Sequence, residues 1–312
     1  MEKIKLNQKY FYNEKEARKY LEKIRWADGI PVCPHCGSKN KHYELKPRTS
    51  KSELRSGVLK CKDCRKQFTV TVGTIFEGSH IPLHKWLIAI YLICSSKKGI
   101  SSHQLHRMLG ITYKSALFMG HRIRFVMSQS PLSEKLSNIV EADETYVGGK
   151  TKGKRGRGAG NKIKVFSLIQ RHGDAKSFTV SDVKAKTLKK LIKENVIDTT
   201  HLITDEFKAY RGLEKHVAKH STVNHGKKEY VSGIIHTNFA ESYFSLLKRG
   251  ILGTFHHLSE EYMPYYLNEF DFRWNHRGQD ISELTIETIQ NTEGKRLLYR
   301  DSSNLAELVL IQ

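Results

Sequence analysis

Three carboxylates in the C-terminal half of this 312-residue chain could do metal chemistry together: Asp143 in IVEADETYV, Asp205 in HLITDEFKAY and Glu241 in HTNFAESYFSLLKRG. Each aspartate sits near the end of a run that reads as a β-strand, and the glutamate opens an amphipathic helix. Carboxylates converging from two strands and a helix can hold two divalent cations, and cations about 3.5–4 Å apart suit in-line attack on a phosphodiester. The implied chemistry is cutting or strand transfer on a nucleic acid. Glu141, Glu144 and Glu206 compete for the same roles. Strand alternation puts Glu144 on the opposite face from Asp143, whereas Glu141 shares its face.

The elements that must position these acids are legible around them. IVEADETYVGG, KIKVFSLIQRHG and AKSFTVSDV read as three consecutive strands. TLKKLIKENV then reads as a helix and HLITDEF as a fourth strand, a succession that matches the start of a ribonuclease-H-like fold. A loop with His225 and the Lys227-Lys228 pair precedes a last strand and helix. In that helix Ala240, Tyr243, Phe244 and Leu247 fall at i, i+3, i+4 and i+7, the spacing of a buried face. Asn238, Glu241, Ser245 and Lys248 form an adjacent polar stripe, so Lys248 can meet a phosphate as a point charge two turns from Glu241. Between the first two strands, KTKGKRGRGAGNKIK carries seven Lys/Arg, four glycines and no acids. It reads as a flexible, phosphate-gripping arm through Lys154, Arg155 and Arg157. Tyr262, Tyr265, Tyr266, Phe270, Phe272 and Trp274 read as core packing, and Asn275, His276 and Arg277 either line the site or cap their helix.

A second chemistry belongs to the N-terminal half. Cys33-x2-Cys36 and Cys61-x2-Cys64 are two knuckles separated by 24 residues. Four thiolates from two such turns make a closed tetrahedral zinc site, structural and without catalytic role. Cys94, in the apolar run Trp86–Cys94, reads as a buried helix residue. Beyond the ribbon, Ser101 or Ser102 can cap a short helix with Leu105, Met108 and Leu109 inward. Gly110 makes a turn, and Thr112 caps a second helix with Ala116, Leu117 and Ile123 inward. That is a helix-turn-helix pattern, and it presents Tyr113, Lys114, Phe118, His121 and Arg122 to a DNA major groove.

Charge supports a polyanionic partner. Net charge is +21, with 26 Lys/Arg against 10 Asp/Glu in residues 1–140 and 27 against 22 in residues 141–312. The basic excess therefore lies in the half that carries the DNA-binding pattern. The N-terminus lacks the apolar core of a signal peptide. No run approaches the ~18 apolar residues of a membrane span. The location expected is cytoplasmic and nucleoid-associated, with no membrane partner.

Taken together, CPHCGS…CKDC, FTVTVGTIFEGSHIPLHKW, EADETYVGGK, TDEFKAY and HTNFAESYFSLLKRGILGTFHH…YLNEFDFRWNHR closely resemble zinc-ribbon DDE transposases of bacterial insertion sequences, over about residues 10–277. The resemblance implies a ribonuclease-H-like catalytic core with two Mg²⁺ or Mn²⁺ ions and one structural Zn²⁺. It implies binding of an element's terminal inverted repeats, hydrolysis at its 3′ ends and strand transfer into target DNA. Asp143, Asp205 and Glu241 carry over as the acidic triad, and Lys248 as the lysine seven residues beyond the glutamate. Some relatives use Asn in place of the last acid, which makes Asn238 the rival third ligand.

The expected organisation is α+β and multidomain. It comprises an N-terminal helical segment (1–28), a zinc ribbon (29–75), a helix-turn-helix region (76–130), a ribonuclease-H-like mixed α/β catalytic domain (136–277) and a C-terminal helical tail (278–312). The partners expected are double-stranded DNA, both transposon ends and target, and further copies of the chain in a homodimer or higher multimer, because two ends must be paired. Two alternatives compete. A catalytically idle, transposase-derived regulator would keep the N-terminal half and lose an acid, yet all three acids are present. A ribonuclease-H-like nuclease would cut without joining, and a strand-transfer assay separates it.

Overall fold

The computed structural model describes residues 3–45, 57–128, 134–149, 162–224 and 233–298. They form two compact units. One comprises the described residues of 1–96, 102–127 and 278–300, the other 97–101 and the described residues of 128–277.

In the first unit, α1 (Glu14–Arg25) begins where the Asn13 side chain accepts the Lys15 and Glu16 N–H groups at 2.9 and 3.2 Å, satisfying two donors that the first turn leaves free. Strands β1 (His42–Glu44), β2 (Leu59–Cys61) and β3 (Gln67–Phe68) pair antiparallel in chain order. This small sheet carries the second cysteine knuckle. Three helices follow, α2 (Leu83–Ser95), α3 (Ser102–Leu109) and α4 (Tyr113–Val126). Gly110, at φ +58°, makes the α3–α4 turn, a backbone region that favours glycine. Thr112 then caps α4 by accepting the Ser115 N–H at 3.2 Å. Leu105 and Leu109 of α3 are buried as expected, but Met108 is 54 % exposed. ISELTIETIQ folds as α8 (Ile281–Gln290) and packs against α1 and α2, where the Cys94 Sγ lies 3.4 Å from Thr288 Oγ1.

The second unit is built on a five-stranded mixed sheet ordered β6-β5-β4-β7-β8. Its strands are β4 (Ile139–Val147), β5 (Ile163–Gln170), β6 (Ala175–Val180), β7 (His201–Asp205) and β8 (Lys219–Val223). β4, β5 and β6 form an antiparallel meander, while β7 joins β4 and β8 joins β7 in parallel. That order and polarity are those of a ribonuclease-H-like sheet. β8 precedes residue 225 instead of following the loop, contrary to expectation. Its sequence, KHSTV, is exposed or half-buried except at Val223, so it lacks the period-2 apolar signal of a strand.

Strand alternation sorts the side chains onto two faces. Val140, Ala142, Phe166, Leu168 and Leu202 pack with Leu188 and Ile192 of α5 (Ala185–Asn195). Val147, Val165 and Ile169 pack with Ala240, Tyr243, Phe244 and Leu247 of α6 (Asn238–Gly250), and with Leu267 and Phe270 of α7 (Met263–Asn275). Each large apolar side chain on this α6 face contributes about 1.5–3 kcal/mol of burial. At the end of α6, a Cβ on Gly250 would stand 2.3 Å from the Phe270 ring, so α6 and α7 approach there at a distance only glycine permits. A π-helical turn, Ile251–Phe255, extends α6. Of the aromatic stripe, Tyr265, Tyr266, Phe270 and Phe272 are buried as expected, whereas Tyr262 and Trp274 are half-buried. Among the described residues no helix is long and apolar enough to cross a membrane.

Candidate functional site

Asp143 lies in the centre of the sheet, on the face covered by α6. β4 and β7 are in register at Glu141 and Ile203, so two residues further along each strand Asp143 and Asp205 stand side by side. Glu241, exposed in the first turn of α6, faces the same cleft as Asp143, although the three carboxylates do not all come within 4.8 Å of one another. Asp143, Glu241, Phe244, Ser245, Lys248 and Arg249 line one open cleft of about 450 Å³. Asn238 lines the neighbouring depression with Glu241, Ser242 and Ser245, away from Asp143. The polar stripe is therefore exposed as its spacing requires, and it adds Arg249, a second cation that the sequence reading passed over. Its position eight residues beyond Glu241 was the available signal.

The cleft raises the pKa of its central carboxylate. The Asp143 carboxyl is pushed up to about 8, first by burial and then by Glu144, with Asp205 and Glu241 adding to it and the Glu144 N–H opposing. That N–H donates to Asp143 Oδ1 at 2.7 Å. Asp205 Oδ1 accepts the Phe207 N–H at 3.0 Å. A buried carboxylate with further acids close by suits hard divalent cations with oxygen ligands, such as Mg²⁺ or Mn²⁺.

The competing acids have other partners. Glu144 lies on the α5 face, as alternation requires, and accepts the Tyr210 hydroxyl at 2.6 Å. Glu206 is exposed beyond the end of β7. Glu141 shares the face of Asp143 but is fully buried. It accepts the Arg171 Nε–H at 2.7 Å and the Phe239 and Ala240 N–H groups at 2.8 and 3.0 Å. Asn275, His276 and Arg277 serve as anchors: Asn275 Oδ1 accepts the Ala175 N–H at 2.7 Å, His276 bonds the Phe272 carbonyl at 2.7 Å, and Arg277 donates to the Gly173 and Trp274 carbonyls.

The four ribbon cysteines form a separate centre. Their sulfurs all lie within 4.8 Å of one another, and among the described residues no other group of three or more potential ligands meets that test. Cys33 and Cys64, and likewise Cys36 and Cys61, are 3.7 Å apart. Zinc–sulfur bonds of about 2.3 Å in a tetrahedron put the sulfurs about 3.8 Å apart, so the cysteines fit a zinc ion. The contact with Ser38 lowers the Cys36 thiol, while the neighbouring cysteines raise that of Cys64, as four sulfurs crowded without their cation would. Cys94 takes no part.

The helix-turn-helix pattern needs a correction. Tyr113 is 41 % exposed, stacked on His103 at 4.2 Å, and Lys114 is exposed. His121 and Arg122, expected to face a groove, are 2 % and 6 % exposed. Arg122 donates to the carbonyls of Ile75 at 2.6 Å and Leu297 at 3.0 Å, and its guanidinium lies 4.5 Å over the half-buried Phe118 ring. Burial, with Arg124 adding to it, pushes His121 down to about 3. The second half of α4 is enclosed by the segment before α2 and by the chain beyond α8, so only its first turn is open to a partner. Lys154, Arg155, Arg157, His225, Lys227 and Lys228 lie outside the described residues.

Residues 12–67 match the transposase zinc-ribbon domain family, and residues 135–275 the ISXO2-like transposase domain family. An uncharacterized protein in transposable element ISH50 of Halobacterium salinarum is 29 % identical over 301 residues, covering 90 % of this chain and 98 % of that protein. Among solved structures, the Mos1 strand transfer complex aligns with 72 % of this chain and 76 % of its own at 12 % identity, with a TM-score of 0.26.

Proposed function

The chain belongs to the zinc-ribbon DDE transposases of insertion sequences, and from that premise we propose that it binds the terminal inverted repeats of its element, hydrolyses the phosphodiester at each 3′ end and transfers the freed 3′-OH strand into target DNA. The observation that supports this reading is that Asp205, on the neighbouring strand, and Glu241, on the overlying helix, lie near enough to Asp143 to raise its pKa. In this account the three carboxylates would hold two divalent cations, which when bound would supply activation of the attacking water and stabilisation of the leaving oxygen. Glu241, in the cleft with Asp143, is the third ligand in preference to Asn238. Lys248 and Arg249 meet the phosphates flanking the scissile bond, and Ser245 lies between them and Glu241 on the same stripe.

Hydrolysis transfers a water oxygen to phosphorus and leaves a 3′-OH on the element. In the second step that 3′-OH replaces water as nucleophile and displaces a 3′ oxygen of the target. No protein nucleophile is needed. The zinc ribbon is structural in this reading, and Tyr113 and Lys114, exposed in the first turn of α4, contact the DNA. A homodimer would pair the two ends. The test is a strand-transfer assay with pre-cleaved terminal-repeat DNA and a supercoiled target: joined products are expected. Cutting of the uncleaved substrate without any joining would reduce the protein to a nuclease.

A further inference from the structure

Glu141 stands two residues before Asp143 on the same face of β4, yet it points into protein. Its carboxylate, fully buried, is shared between two jobs. Oε1 takes the Arg171 Nε–H at 2.7 Å and lies 3.4 Å from His236 Nδ1, while Oε2 takes the backbone N–H groups of Phe239 and Ala240. Those two amides belong to the first turn of α6, whose own cap residue, Thr237, supplies no side-chain hydrogen bond. Glu141 therefore caps α6 from a neighbouring strand, and its negative charge suits the positive end of the helix. Arg171 extends the clamp by donating to the carbonyls of Ile234 and His236 at 2.7 and 2.8 Å, which ties down the chain entering the helix.

We infer that Glu141 is a positioning residue: with Arg171 it pins the first turn of α6 to β4 and so fixes where Glu241 stands relative to Asp143. Glu241 follows the two anchored amides directly, and Asp143 is on the strand that supplies the anchor. The distance between the two acids is thus set within a few residues on each side. The inference rests on the reading of Glu241 as third metal ligand. Residues that orient metal ligands in this way cost about 10–100-fold in metal affinity when altered.

Two measurements on the full-length protein test it. Hydrogen exchange without added metal compares wild type with Glu141→Gln: faster exchange is expected at the start of α6, and unchanged exchange there overturns the anchor. Binding of Mn²⁺ alone, without DNA, is then measured for wild type, Glu141→Gln and Leu188→Ala. Leu188 is buried in α5 on the other face of the sheet and controls for lost stability. An affinity loss of about ten-fold or more in Glu141→Gln, with wild-type affinity in Leu188→Ala, is expected. Equal affinities in the two variants at matched stability overturn the proposal. If wild type itself binds no Mn²⁺, the metal reading fails, and the exchange result alone decides for or against the anchor. Should Glu141→Gln not fold, Arg171→Lys takes its place. A lysine keeps the charge but cannot reach Glu141 and both carbonyls at once, so the same two changes are expected in smaller degree, and wild-type behaviour again overturns the inference.

Discussion

At the scale of single residues, Asp143 concentrates the physics of the cleft. Its folded-state pKa of about 8 lies far above the ordinary aspartate value of 3.8, so without metal the native protein holds a proton that the unfolded chain has released. The stability tied to this proton is fully present below pH ~4 and is lost as pH rises toward ~8. Asp143→Asn removes the titration. Metal-free Asp143→Asn is therefore expected to melt higher than wild type at pH 8, with the difference vanishing near pH 4. A constant difference across that range in melting scans would contradict the assignment. Glu141 and Glu144, two and one positions from Asp143 along the strand, show how much alternation and partners decide. One caps a helix, and the other bonds Tyr210 while edging the cleft beside Asp143.

At the scale of elements, the zinc ribbon depends on its metal. Its three strands span two or three residues each, too little to fold alone, so zinc binding of order 10 kcal/mol must dominate. Cys61→Ser is expected to lose bound zinc and the ordered ribbon, seen as zero zinc by metal analysis and rapid amide exchange over 57–68. Retained stoichiometric zinc would contradict the account. Much of this was legible in sequence, because Cys-x2-Cys pairs and the Ala240-Tyr243-Phe244-Leu247 periodicity are local signals. β8 was not legible, since an edge strand with only Val223 buried has no pattern to read. Arg122 and His121 were misassigned for a related reason. Local periodicity places both on a polar face, but both are buried, and the partners of Arg122 are carbonyls distant in sequence, at Ile75 and Leu297.

At the scale of the whole molecule, a net charge of +21 makes DNA affinity depend steeply on salt, because each neutralised phosphate releases counterions. Lys114→Ala is expected to reduce the slope of log K against log salt by about 1 with little loss of stability. Arg122→Ala is expected to do the opposite. It leaves the Ile75 and Leu297 carbonyls without their donor, at a cost of about 1–3 kcal/mol each in unfolding experiments, and spares the salt slope of the folded protein. A lowered slope in Arg122→Ala would restore that residue to the DNA interface. The central claim is metal-dependent cleavage of the element's own ends by the acidic trio. The most direct test is incubation of labelled terminal-repeat DNA with wild type and with Asp143→Ala, each with and without Mg²⁺. Cutting at the 3′ end by wild type with Mg²⁺, and by neither protein otherwise, is the predicted result. Equal cutting by the two proteins would contradict it.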